Sequence, residues 1–78
     1  MGSRVKSNLK RILDERKMSI RQLSESTGIP FETVRRLYND TTVRYERNTL
    51  GKICDELKLD INDLLVLVES EDTKTHQD

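Results

Sequence analysis

The sequence predicts an all-α, compact domain of five short helices, and three observations carry that expectation. Apolar residues recur at helical spacing in separate blocks: Val5, Leu9, Ile12 and Leu13 early in the chain, then Leu50, Ile53, Cys54 and Leu57. Capping signals punctuate the blocks, with Ser19 three residues before Gln22 and Asp60 three before Asp63. No stretch reads as the polar–apolar alternation of a half-buried strand. A chain of 78 residues has room for one small core, because at this size only about 60% of the unfolded surface is buried.

The first helix is expected from about Arg4 to Lys17, with Val5, Leu9, Ile12 and Leu13 on its inner face. Ser19 and Gln22 then form a capping box, and Met18 and Leu23 stand where a hydrophobic staple packs. The second helix is short, about Ile20 to Thr27. Gly28 ends it, at the position where a left-handed backbone is needed and glycine adopts one without strain. Pro30 suits the first turn of the third helix, whose buried side is Val34 and Leu37 and whose end is marked by Asn39 and Asp40. A polar loop over residues 40–47 leads to a fourth helix capped by Asn48. Asp60 with Asp63, and Leu59 with Leu64, repeat the capping and staple signals for a fifth helix from about Ile61 to Glu69. Residues 1–69 are thus expected to form the domain. Residues 70–78, which lack apolar side chains, are expected to be a disordered acidic tail.

Net charge is zero, but the distribution is not even. Residues 1–52 hold twelve Lys and Arg against six Asp and Glu, and residues 53–78 hold two against eight. A balance of +6 therefore faces one of −6, which the total conceals. No apolar run approaches the roughly 20 residues of a membrane span, and the N-terminus lacks the charged-then-apolar order of a secretion signal. Lys6 stands where myristoylation needs Ser or Thr. Cys54 is the only cysteine, so no internal disulfide forms, and a free thiol points to a reducing, cytoplasmic setting.

Two short helices joined at a glycine have the form of the DNA-binding helix-turn-helix. The stretch "MSIRQLSESTGIPFETVRRLYND", followed by "NTLGKICDELKLDINDLL", resembles the lambda-repressor-like family of Xre and Cro-type regulators. The resemblance covers about residues 5–68. Leu23, Ser24, Gly28, Ile29, Val34 and Leu37 match its buried skeleton, with Ser24 at the place of a small residue, usually alanine. It implies that the third helix is a recognition helix lying in the major groove of duplex DNA. Base contacts then fall to Phe31, Glu32, Arg35 and Arg36, and phosphate contacts to Arg21, Thr33, Asn39, Thr41, Thr42 and Arg44. Tyr45 and Arg47 are placed less firmly, because loop length varies there. Two departures stand out: Ile20 where the family often has a polar phosphate contact, and Pro30 in place of a Ser or Thr cap.

Side-chain chemistry agrees in part. Arg36 can grip guanine O6 and N7 in a bidentate pair, Glu32 can accept from cytosine N4, and Phe31 can touch a thymine methyl group. The plainer alternatives stay open: either arginine could pair with Glu32 one turn away or be solvated, and Phe31 could pack beneath the second helix. Thr33 and Arg35 could equally meet phosphate.

An enzyme is not expected. His76 is the single histidine and lies in the tail, Cys54 sits in an apolar pattern, and no phosphate loop, metal-ligand spacing or nucleophile–base pair occurs. No cofactor or metal is implied. The run "LLVLV" at residues 64–68 exceeds what one helix face can bury, which leaves Val66 and Leu67, with Leu64 beside them, for a dimer seam or a partner protein. The expected function is therefore a small transcriptional regulator, chiefly a repressor, binding DNA as a homodimer. The alternative is an antitoxin-type DNA-binding protein that also holds a toxin partner, or a protein-interaction module.

Overall fold

The structure, a computed structural model, describes residues 2–69. Its order is β1 (Ser3–Ser7), α1 (Leu9–Arg16), α2 (Ile20–Thr27), α3 (Phe31–Asn39), α4 (Arg47–Leu57), α5 (Ile61–Leu64) and β2 (Leu65–Glu69). The five helices are present, but the domain is not all-α: the two end segments pair as an antiparallel two-stranded sheet. The expected tail at residues 70–78, with His76, lies outside the described residues.

Three expected boundaries are corrected by that sheet and by the start of α4. The first helix begins at Leu9 rather than near Arg4, because residues 3–7 are strand. Val5, expected on the inner face of a helix, is instead 40% exposed on β1. The fifth helix stops at Leu64 after one turn, and residues 65–69 continue as strand. Strand geometry sends successive side chains to opposite faces, so it can distribute the apolar run that one helix stripe cannot bury. Two β-branched residues, Val66 and Val68, favour the same outcome. Asn48 is not the cap of α4; the helix starts at Arg47, Glu46 is its N-cap residue, and Thr49 donates a 2.9 Å hydrogen bond to the Glu46 carboxylate.

The helical centre follows the sequence closely. Ser19 and Gln22 form both halves of their capping box, at 2.8 and 3.0 Å. Gly28 closes α2 with φ 78°, the left-handed backbone expected there. Pro30 sits at the N-cap of α3, one residue earlier than its expected place in the first turn. The core comprises Leu9, Ile12, Leu13, Leu23, Ile29, Val34, Leu37, Ile53, Leu57 and Leu64, drawn from every helix and from the α2–α3 turn. Its residues lie at helical spacing within each element, which is how separate amphipathic helices share one interior. Ile61, at the start of α5, is 52% exposed and stands outside this core.

The sheet is stitched to this centre. The Asn8 N–H donates to the Leu64 carbonyl at 2.8 Å, continuing the ladder into the start of α1. The buried Ser7 hydroxyl accepts from the Leu9 N–H at 3.2 Å, satisfying one of the first-turn donors that α1 leaves free. Cys54 is half-buried, and that burial, with Asp55, Asp60 and Asp63 nearby, pushes its thiol pKa up. It therefore remains a packing thiol at neutral pH.

Candidate nucleic-acid interface

The orientation of α3 is set by what it buries. Val34 and Leu37 point into the core, so Glu32, Arg35, Arg36 and Asn39, spaced i, i+3, i+4 and i+7, share the opposite face. All four are exposed. The α2–α3 turn that fixes this orientation uses its small polar residues fully. Ser24 Oγ donates to the Ile29 carbonyl at 2.6 Å, and Thr27 Oγ1 donates to the Leu23 carbonyl at 2.7 Å while accepting from the Ile29 N–H at 3.2 Å. Ser24 is thus more than a small spacer, because its hydroxyl ties the two helices together.

The exposed face is not a bare cationic row. Arg35 forms a two-pronged hydrogen-bonded ion pair with Glu32, and Arg36 Nε lies 3.9 Å from the same carboxylate. The Arg35 hydrogen bond, helped by the charges of Arg35 and Arg36, holds the Glu32 carboxyl below its usual range. Both arginines thus lie within ion-pair distance of Glu32 on the exposed face of α3. Such exposed pairs contribute little to stability and exchange readily for other partners.

The remaining expected site residues fall on the flanks of that face. Phe31 is 42% exposed, and the Arg21 guanidinium lies 5.6 Å from its ring centre, bridging the start of α2 to the start of α3. They share a shallow groove with Met18, Ser19, Ile20 and Tyr38. On the other flank Thr33 and Arg44 line a small groove with Tyr45 and Glu46. Thr41 N–H bonds the Arg36 carbonyl at 2.9 Å, and Thr42 Oγ1 donates to the Arg44 carbonyl at 2.7 Å, so the loop after α3 is ordered by its own residues. The structure therefore gathers Arg21, Phe31, Glu32, Thr33, Arg35, Arg36, Asn39 and Arg44 along or beside one helix. It does not bring Leu64, Val66 or Leu67 to that helix. Val66 and Leu67 lie on β2, while Leu64, expected beside them in the seam, is fully buried in its own core and offers no surface.

Sequence reasoning missed the groove between α1 and the end of α3. Lys6, Lys10 and Arg11 line it together with Asp14, Glu15, Tyr38, Asn39 and Asp40, and Lys10 and Arg11 pair with Asp14 and Glu15 at 3.1 and 3.4 Å. The Lys10 ammonium stands 5.4 Å from the Tyr38 ring centre, and the Tyr38 hydroxyl donates to Asp14 at 2.7 Å. One signal was available: Tyr38 follows Phe31 by seven residues, so both belong to the same flank of α3. The lysines gave no local signal, since only the fold carries them to Asn39.

The fold is a small helical one in which an exposed polar helix is mounted on a tight glycine turn. The chain belongs to the Cro/C1-type HTH DNA-binding domain family, whose model matches residues 8–70. This agrees with the resemblance read from the sequence. Among solved structures, the chain is similar to a protein of Bacteroides fragilis to which DNA binding is ascribed. That match has 22% identity and a TM-score of 0.70, covering 81% of this chain and all of the other. It is also similar to the transcriptional regulator VanUg, at 27% identity and a TM-score of 0.69, covering 90% of this chain and 92% of that one. A comparison with curated protein sequences gives no significant match.

Proposed function

We propose that the chain is a sequence-specific regulator of transcription that lays α3 in the major groove of duplex DNA, with α2 and α3 as its helix-turn-helix. One observation carries the reading: Glu32, Arg35, Arg36 and Asn39 occupy the single face of α3 that the core does not use. Arg36 is the base-reading arginine, because a guanidinium presents two parallel donors to guanine O6 and N7. Arg35 and Glu32 complete the base-facing set, with Phe31 at its edge. Arg21 on one flank and Thr33, Arg44, Thr41 and Thr42 on the other meet the backbone phosphates, which position the helix without reading sequence. Asn39, beside Lys6 and Lys10, extends that phosphate track.

One recognition helix reads only a few base pairs, so site selection within a genome calls for two. The reading therefore includes a homodimer whose two α3 helices lie about 34 Å apart, one turn of DNA. Repression follows from occupying a promoter, in the cytoplasm; no helix among the described residues is long and apolar enough to cross a membrane.

Selection of bound sequences from a random duplex pool tests the proposal. The expected result is a short motif repeated about a two-fold axis. Enrichment of no sequence over the starting pool would sink base reading by α3.

A further inference from the structure

Phe31 opens α3, the helix whose free face carries Glu32, Arg35 and Arg36. It stands outside the core and is 42% exposed, whereas the apolar side chains beside it, Met18, Ile20 and Tyr38, are half-buried against that core. Those three give the groove between the starts of α2 and α3 a fixed apolar floor. The Arg21 guanidinium lies over the Phe31 ring, 5.6 Å from its centre. A cation over the face of an aromatic ring is attracted by the ring quadrupole, so each side chain holds the other in place. Arg21 also differs from the arginines of α3. Arg35 and Arg36 lie within ion-pair distance of Glu32, while Arg21 has no carboxylate at that distance among the described residues. Its charge is free for an anion outside the chain.

A phenylalanine at the start of a helix that enters the major groove is restricted in what it recognises. Its ring has no donor or acceptor, and the one apolar group that base pairs present in that groove is the C5 methyl of thymine. 5-Methylcytosine carries the same methyl at the same place. That methyl is also the major-groove group of a pyrimidine nearest the phosphates of its own strand, so a cation held beside the ring meets the backbone there. We infer that Phe31 and Arg21 act as one reader of a 5-methylpyrimidine: the ring covers the methyl group and the guanidinium takes the adjoining phosphate. The inference rests on α3 being the major-groove helix. An apolar ring beside an unpaired cation matches a methyl group beside a phosphate, and Ile20 and Met18 keep the floor under that methyl free of polar groups. Thymine and 5-methylcytosine are then equivalent to Phe31, and uracil and cytosine are equally deficient. The contact reads a modification as well as a base.

Mobility shifts of the full chain on the site selected from a random duplex pool test the inference. In one half of that site each thymine is replaced in turn by deoxyuridine and each cytosine by 5-methylcytosine. At one pyrimidine position, removing the methyl group is expected to weaken binding about fourfold, the effect of burying one methyl group. With guanine opposite, 5-methylcytosine at that position is expected to bind about fourfold tighter than cytosine. Phe31→Ala and Phe31→Gln, substitutions outside the core, are expected to keep helical circular dichroism and to bind methylated and unmethylated duplexes equally. Arg21→Ala is expected to weaken binding to every duplex and to shrink the fourfold ratio, because the ring loses the cation that holds it. An unchanged ratio in Arg21→Ala removes Arg21 from the reader. Wild type that is indifferent to the methyl group at every pyrimidine, or Phe31 variants that keep the methyl effect, overturn the inference and leave the selected motif standing. A pool that yields no motif overturns the DNA reading itself, and this inference with it.

Discussion

Glu32 is the residue on which the chemistry of α3 turns, because one carboxylate occupies both arginines in the free protein. Its folded pKa is depressed, first by the Arg35 hydrogen bond. By the sign of that shift, the pairing is fully present above the ordinary glutamate value of 4.5 and is lost as pH falls through the lower folded value. If the arginines contact DNA as proposed, at neutral pH they must first leave Glu32. Glu32→Gln removes that competition, so affinity for random duplex should rise and its salt dependence should steepen, as mobility shifts across a salt series would show. If binding to random duplex is unchanged, the intrahelical pair does not restrain the arginines. Arg36→Ala should cost about 1–3 kcal/mol on the selected site and flatten preference at one base pair. Arg44→Ala should instead weaken all sequences alike, as a phosphate contact does. An Arg36→Ala protein that selects the original motif with undiminished affinity would remove Arg36 from the base-reading set.

At the level of elements, two polar ties aim α3. Tyr38 donates to Asp14 on α1, and Asp40, with φ 59° just past the end of α3, accepts from Ser7 and Arg4 of β1. The Asp14 pKa is lowered, first by the Tyr38 hydrogen bond and then by that of Lys10, so its contribution is complete above 3.8 and lost as pH falls below. The Tyr38 pKa is raised, chiefly by the same bond, so the tie is complete below 10.0 and is lost as pH rises through the higher folded value. Tyr38→Phe should move the Asp14 titration back toward its ordinary value, as carboxyl NMR would show. Asp14 titrating identically in both proteins would mean the bond is absent in solution. Asp40→Ala should cost about 1–3 kcal/mol in urea unfolding, because it leaves the Ser7 N–H without its acceptor and puts alanine in a left-handed backbone. These same elements show what the sequence could reveal. Ser19, Gln22, Gly28, Val34 and Leu37 act within a few residues of one another, so α2, their turn and α3 were legible. The sheet was not, because Val5 meets Leu67 across sixty-two positions and neither segment reads as a strand by itself. Within the site, the face of α3 was legible from helical spacing, whereas the Lys6, Lys10 and Tyr38 groove exists only once α1 packs on α3.

For the whole molecule, the division of charge makes the most general prediction. Twelve of the fourteen basic residues precede residue 53, and eight of the fourteen acidic ones follow residue 52. Arg21, Arg35, Arg36 and Arg44, with Lys6 and Lys10 nearby, belong to the basic part, while β2 and the end of α4 belong to the acidic part. On the proposed reading a duplex lying along α3 meets these cations once they leave their carboxylate partners, and binding releases counterions from the phosphates they neutralise. The logarithm of the binding constant should fall linearly with that of salt concentration, by about 0.9 for each phosphate neutralised. A second copy should about double that slope on a two-fold site relative to a single half-site, because each copy brings the same set of cations. If Leu67 belongs to the dimer seam that the sequence leads one to expect, Leu67→Glu, which lies off α3, should leave the half-site slope unchanged and bring the two-fold slope down toward it. Measured by fluorescence anisotropy across a salt titration, a flat response for wild type would argue that α3 faces a protein rather than DNA. A steep slope that is the same on one half-site and two would keep DNA as the ligand and exclude cooperation between copies.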